Sequence, residues 1–175
     1  SAITDECDVL QVLCGHHPNF PAKFMIYEDH PKLKSEVTHI VTDLYSGGTM
    51  IQGISSRGLF DEGDWCVFAN QLLGAVSFMH SLGVAHRDLK PDNIMLKEPW
   101  SPKPGSIPTL KIIDFGSATF CLSNKTMRGH VGTKFFSAPE CLRRKPYTKK
   151  CDVWSVGVLL MVLLKGFPSG LEVEE

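Results

Sequence analysis

Residues 86–93 read His86-Arg87-Asp88-Leu89-Lys90-Pro91-Asp92-Asn93, and the reading of this run decides the fold. Two shorter motifs follow it in order, Asp114-Phe115-Gly116 and then Ala138-Pro139-Glu140. Either tripeptide alone carries little, because tripeptides recur by chance. The longer run followed by both, each at loop-length spacing, is far more specific.

The flanking sequence supplies the elements that would hold these motifs. Asn93-Ile94-Met95-Leu96 and Leu110-Lys111-Ile112-Ile113 read as a short strand pair. Between them, Lys97 to Thr109 holds four prolines and one glycine, the composition of an exposed hairpin insertion. A second loop is predicted from Ser117 to Lys134. Asp152 to Leu164 is an apolar helix stopped by Gly166-Phe167-Pro168. Its uniform apolarity predicts that it is covered on all sides. Upstream, Asp61 can cap a helix running from about Asp64 to Ser81, where Phe68, Leu72, Ala75, Val76 and Met79 recur at helical spacing. Gly83 ends that helix. Ser46-Gly47-Gly48 is a turn. Phe24-Met25-Ile26-Tyr27 and Thr38-His39-Ile40-Val41-Thr42 read as strands. Asp5 to Leu13 reads as an amphipathic helix with Val9, Leu10 and Leu13 on one side. The class is α+β, with a helix-dominated second part.

Composition narrows the function classes. The chain has 175 residues, enough for one domain or one large lobe plus part of another. Apolar residues make up 43% and charged residues 21%, and net charge is -1 with both signs mixed. Bulk charge therefore points to neither nucleic acid nor a membrane surface. The longest apolar run, Val156 to Leu164, is far short of the roughly 18 residues of a membrane span. None of the six cysteines forms a C-x-x-C pair or a metal-finger spacing with histidine. Reduced thiols and an intracellular, cytoplasmic compartment are the expectation.

The three motifs together resemble the signature set of eukaryotic protein kinases, H-R-D-L-x-x-x-N, D-F-G and A-P-E. The resemblance covers nearly the whole chain. It implies a protein-kinase-like fold in which residues 1–44 are a small-lobe remnant, one helix and two strands, leading into the hinge. Residues 45–175 would be most of the helical large lobe. It further implies phosphoryl transfer from ATP to protein hydroxyls. That reaction has a loose transition state, so positioning and charge neutralisation supply the catalysis. Asp88 would accept or orient the substrate hydroxyl proton. Lys90 would neutralise the moving phosphate, and Asn93 and Asp114 would hold Mg²⁺ through hard oxygens. The Thr133 hydroxyl would tie Asp88 and Lys90 together. Lys90 with Thr133 implies serine/threonine rather than tyrosine substrates. Glu6 resembles the glutamate of the regulatory helix. Thr42 falls at the gatekeeper, Asp43-Leu44-Tyr45 along the hinge, and Met95 under the adenine. His86 would pack beneath Phe115, and Asp152 would accept backbone N–H groups of the catalytic loop. His17-Pro18-Asn19 and Ser46-Gly47-Gly48 resemble the calcium/calmodulin-dependent kinase group.

The departures from the pattern shape the remaining expectations. The 175 residues contain no G-x-G-x-x-G loop and no lysine strand ahead of Glu6. Nor do they contain an arginine-bearing helix to pair with Glu140. The expectation is a kinase domain cut at both ends, inactive by itself and poorly covered along its apolar helix. Gly129 stands where an activating phosphosite is usual, so Arg87 would lack a phosphate partner; Thr126 is the nearest alternative. Thr49 stands where basic-directed kinases often carry glutamate, while Asp92 keeps a second acidic contact. The rival expectation is a pseudokinase-like scaffold using the helical lobe as a binding surface. A small-molecule phosphotransferase is disfavoured by Lys90 and by the complete A-P-E segment.

Overall fold

The computed structural model describes residues 2–28, 38–57, 61–101, 107–121 and 126–168. Among the described residues the architecture is a kinase-like α+β arrangement of helices with three small antiparallel strand pairs.

Helix α1 spans Ala2–Leu13 and buries Val9, Leu10 and Leu13 along one face, as its spacing predicts. Strands β1 (Phe24–Glu28) and β2 (Thr38–Thr42) pair antiparallel, Phe24 opposite Thr42 and Glu28 opposite Thr38. Helix α2, Met50–Arg57, has no counterpart in the sequence expectations. Helix α3, Glu62–Ser81, is capped by Asp61, whose carboxylate accepts the Asp64 N–H at 2.8 Å. Gly83, at φ 74°, takes the left-handed turn that ends it.

Strands β3 (Val84–Ala85), β4 (Ile94–Leu96), β5 (Leu110–Ile112) and β6 (Thr119–Phe120) form the remaining two pairs, β4 with β5 and β3 with β6. The expected β4–β5 pair is present, one residue shorter at Asn93 and at Ile113. The stretch expected to be loop from Ser117 onward instead contains β6. Part of the insertion after β4, residues 102–106, lies outside the described residues. Its near flank is anchored where Trp100 packs on Phe68 of α3 with ring centroids 5.1 Å apart.

Helix α4, Pro139–Leu142, begins inside the A-P-E motif, with proline at its first turn. Helix α5 spans Lys150–Lys165 and packs against α3. Trp65 Nε1 donates to the Leu160 carbonyl at 2.9 Å across this contact. The cover on all sides that composition alone predicts is incomplete on α5, as the departures from the family pattern lead us to expect. Val156, Leu159, Val162 and Leu163 are buried, but Val153, Trp154, Met161 and Leu164 are 53%, 48%, 42% and 39% exposed. With Glu140, Lys150 and Gly157 they border an apolar groove of about 690 Å³. Among the described residues, Glu140 makes no ion pair. No helix among the described residues is long and apolar enough to cross a membrane.

Candidate active site

The loop of residues 86–93 is a strained turn held from below. Arg87 sits at φ 69°, a left-handed conformation that costs a non-glycine residue about 1–2 kcal/mol. Asp152, at 0% exposure, opposes that cost. Its carboxylate accepts the His86 N–H at 3.0 Å and the Arg87 N–H at 2.8 Å, and lies 2.8 Å from His80 Nε2. His86 is buried under Phe115, ring centroids 5.2 Å apart, with Nε2 3.2 Å from the Ile113 carbonyl. Burial pushes its pKa down, with Asp152 the main opposing influence. A buried, predominantly neutral imidazole beneath an aromatic ring is a packing element.

Above this base, Asp88 is the hub. Its Oδ1 accepts from the Thr133 N–H at 2.9 Å and the Thr133 hydroxyl at 3.0 Å. The Asn93 amide nitrogen donates to the Asp88 carbonyl at 2.9 Å and to Oδ2 at 3.2 Å. Lys90 Nζ stands 3.7 Å from Oδ2. Thr133 and Lys90 thus meet through opposite oxygens of the same carboxylate. Gly132 lets the loop approach this closely. It sits at φ 91°, and an added Cβ would collide with the Arg87 carbonyl and meet Asp88 Oδ1 at 3.0 Å. Gly132→Ala should therefore displace Thr133 from Asp88. An active protein carrying this change should lose about 10²-fold in kcat, the scale of a misplacement near 1 Å. Steady-state kinetics read this directly, and an unchanged kcat would contradict it.

The expected nucleotide residues converge on a second feature. Glu6, Thr42, Asp43, Tyr45, Met95 and Asp114 line one cavity of about 260 Å³, together with Leu10, Ile40 and Phe115. The structure therefore brings together all six. Asp43 has a further task, because its Oδ2 accepts the Ala22 N–H at 2.6 Å and lies 3.4 Å from the Tyr45 hydroxyl. Buried Lys111 braces the same corner, donating to the Phe20 carbonyl at 2.8 Å with Nζ 5.4 Å from the Tyr45 ring centroid. Sequence reasoning gave Lys111 no role; a lysine inside a strand of otherwise buried residues was the available signal.

The two features meet at β5. The Ile113 N–H donates to the Asn93 carbonyl at 3.0 Å, which sets Asp114 beside the catalytic loop. Asp114 is itself strained, at φ 60°, and its Oδ1 accepts the Gly116 N–H at 3.2 Å. Its charge acts on Glu6, whose pKa is raised first by burial and then by Asp114, against a hydrogen bond from the Phe115 N–H. Among the described residues, Glu6 makes no ion pair. The donor set suits a hard cation. Asn93 commits its nitrogen to Asp88, which turns its amide oxygen the other way, and Asp114 retains an oxygen beyond the one bonded to Gly116.

The sequence model of the protein kinase domain matches residues 1–171. The chain is 38% identical over 152 residues to Calcium-dependent protein kinase 5 of Plasmodium berghei (strain Anka), covering 87% of this chain and 25% of that protein. It is 36% identical over 153 residues to Calcium/calmodulin-dependent protein kinase type II of Caenorhabditis briggsae, covering 87% and 27%. It is 37% identical over 153 residues to human Calcium/calmodulin-dependent protein kinase type 1B, covering 87% and 41%. The chain belongs to the protein kinase family. It spans well under half the length of each of these relatives.

Proposed function

We propose that the whole protein transfers the γ-phosphoryl group of ATP to serine or threonine hydroxyls of protein substrates. The observation that carries this reading is Asp88, joined at once to Lys90, Asn93 and Thr133 beside a cavity that ends at Asp114. Asp88 orients the substrate hydroxyl and receives its proton. Lys90 places a positive charge where the transferring group passes. Asn93 and Asp114 would hold Mg²⁺, which would supply charge neutralisation at the phosphate oxygens. Met95 and the hinge residues Asp43 to Tyr45 form the walls around the base. Glu6 receives a lysine supplied from outside these 175 residues, which would relieve its repulsion with Asp114. The names of the relatives favour a calcium-regulated kinase.

The test is phosphate incorporation into serine- and threonine-containing peptides by the whole protein. Asp88→Asn should lower kcat by about 10²–10⁴-fold, the range for a lost general base. The 175-residue polypeptide alone should show no turnover, since it contains neither a glycine-rich phosphate loop nor a lysine ahead of Glu6. Incorporation indifferent to Asp88→Asn would exclude the kinase reading and favour a scaffold built on this fold.

A further inference from the structure

Lys111 sits inside β5, a strand buried at every position. Side chains on a strand alternate between its two faces. Leu110 and Ile112 belong to the main core, so Lys111 shares the opposite face with Ile113, which lines the cavity beside Asp114. Its register partner on β4 is Met95, another lining residue. Lys111 thus stands behind the cavity wall and not in it.

A buried ammonium is costly unless it is paired. Lys111 is 6% exposed, and it meets partners from two other segments of the chain. Its Nζ donates to the Phe20 carbonyl at 2.8 Å, at the peptide that leads into the lining residue Pro21. The same Nζ lies 5.4 Å from the centroid of the Tyr45 ring, within reach of a cation–π contact, and Tyr45 also lines the cavity. The circuit closes between those two segments. The Tyr45 hydroxyl lies 3.4 Å from Asp43 Oδ2, and that oxygen accepts the Ala22 N–H at 2.6 Å. Residues 20–22, 43–45 and 111 therefore form one ring of contacts at a corner of the cavity, and Lys111 ties that ring to the strand leading to Asp114.

We propose that Lys111 is a positioning residue for the nucleotide. Its ammonium holds the Phe20–Pro21 peptide and the Tyr45 ring at a set distance from β5, and so fixes the width of the cavity that the base enters. An apolar side chain of similar volume could fill the same space with little change in stability; it could not hold those two partners. The inference rests on the kinase reading, which makes this cavity the ATP site.

The experiment uses the whole protein, with ATP as the probe. Lys111→Met keeps an unbranched stem and removes the ammonium. ATP affinity by calorimetry should weaken about tenfold, the lower end for a hydrogen bond made by a charged group, and KM for ATP should rise with it. kcat should be unchanged, the mark of lost binding without lost transition-state stabilisation. Lys111→Arg keeps the charge and can still donate to the Phe20 carbonyl and stack on Tyr45, so its ATP affinity should lie nearer to wild type. In a Tyr45→Leu background, Lys111→Met should weaken ATP by a smaller factor than it does alone, because one of its partners is already gone. Lys111→Gln, uncharged but still a donor, replaces Lys111→Met if that variant does not fold, and should show the same split between KM and kcat. The proposal is overturned by equal ATP affinity in wild type and the uncharged variant, or by a fall in kcat with KM unchanged. Lys111→Arg no better than Lys111→Met, or fully additive losses with Tyr45→Leu, would also overturn it. Incorporation indifferent to Asp88→Asn would end the kinase reading alone; calorimetry of wild type against Lys111→Met then still decides whether Lys111 shapes the cavity.

Discussion

Asp114→Ala in the whole protein should abolish Mg²⁺-dependent turnover, lowering kcat by about 10³-fold or more, and leave the fold in place. The loss corresponds to about 4 kcal/mol, the several kcal/mol expected for charge neutralisation by a bound metal. The fold should survive because Asp114 is exposed and its side chain makes one local bond, to the Gly116 N–H. Alanine at φ 60° keeps the left-handed strain that Asp114 already carries, so little is added to it. A second readout does not depend on activity. Asp114 is one of two causes that raise the Glu6 pKa, so its removal should bring the Glu6 carboxyl back toward its ordinary value. NMR titration of that carboxyl measures the change. Unaltered kcat with an unaltered Mg²⁺ requirement would mean that the metal is held elsewhere.

Asp152→Ala should have the largest effect on stability. The substitution strands the His86 and Arg87 N–H groups and leaves His80 without its carboxylate partner. Each buried unpaired donor costs about 1–3 kcal/mol, so a total of about 3–5 kcal/mol is expected. A shifted denaturant midpoint in the catalytic-domain transition reads this out. Activity should fall with it, because the Arg87 N–H then loses the acceptor that stabilises its left-handed conformation under Asp88. Asp152→Asn keeps one acceptor oxygen but turns an NH₂ toward the second N–H, so it should fall between wild type and alanine. A loss below about 1 kcal/mol for Asp152→Ala would show that the loop is held by other contacts.

What the sequence reveals and what it hides divide along physical lines. Asp88, Lys90 and Asn93 are legible because they lie within one short turn and their order is itself the signal. Helices α1 and α3 are legible because each has one buried face. Helix α5 is legible as a helix but not in its orientation: with no polar face, nothing in its pattern says which side is covered. Helix α2 is hidden because Met50–Arg57 carries Gly53 and two serines, and it relies on tertiary support such as the full burial of Met50. Two-residue strands such as β3 and β6 are shorter than any periodicity can register. The isolated bridge between Met127 and Tyr147 leaves no mark, because it is a backbone contact and any two residue types could make it.

The placement of Asp152 has a kinetic consequence. The hydrogen bonds that shape the catalytic turn join residues 66 and 65 positions apart. The β4–β5 hairpin and α3, by contrast, close over short stretches of chain. Bringing distant segments together costs chain entropy before any contact repays it. The turn that carries Asp88 therefore cannot reach its working shape from local interactions, however early its own residues are made. It depends on a helix synthesised long after it, whose Asp152 supplies the two acceptors that hold the turn.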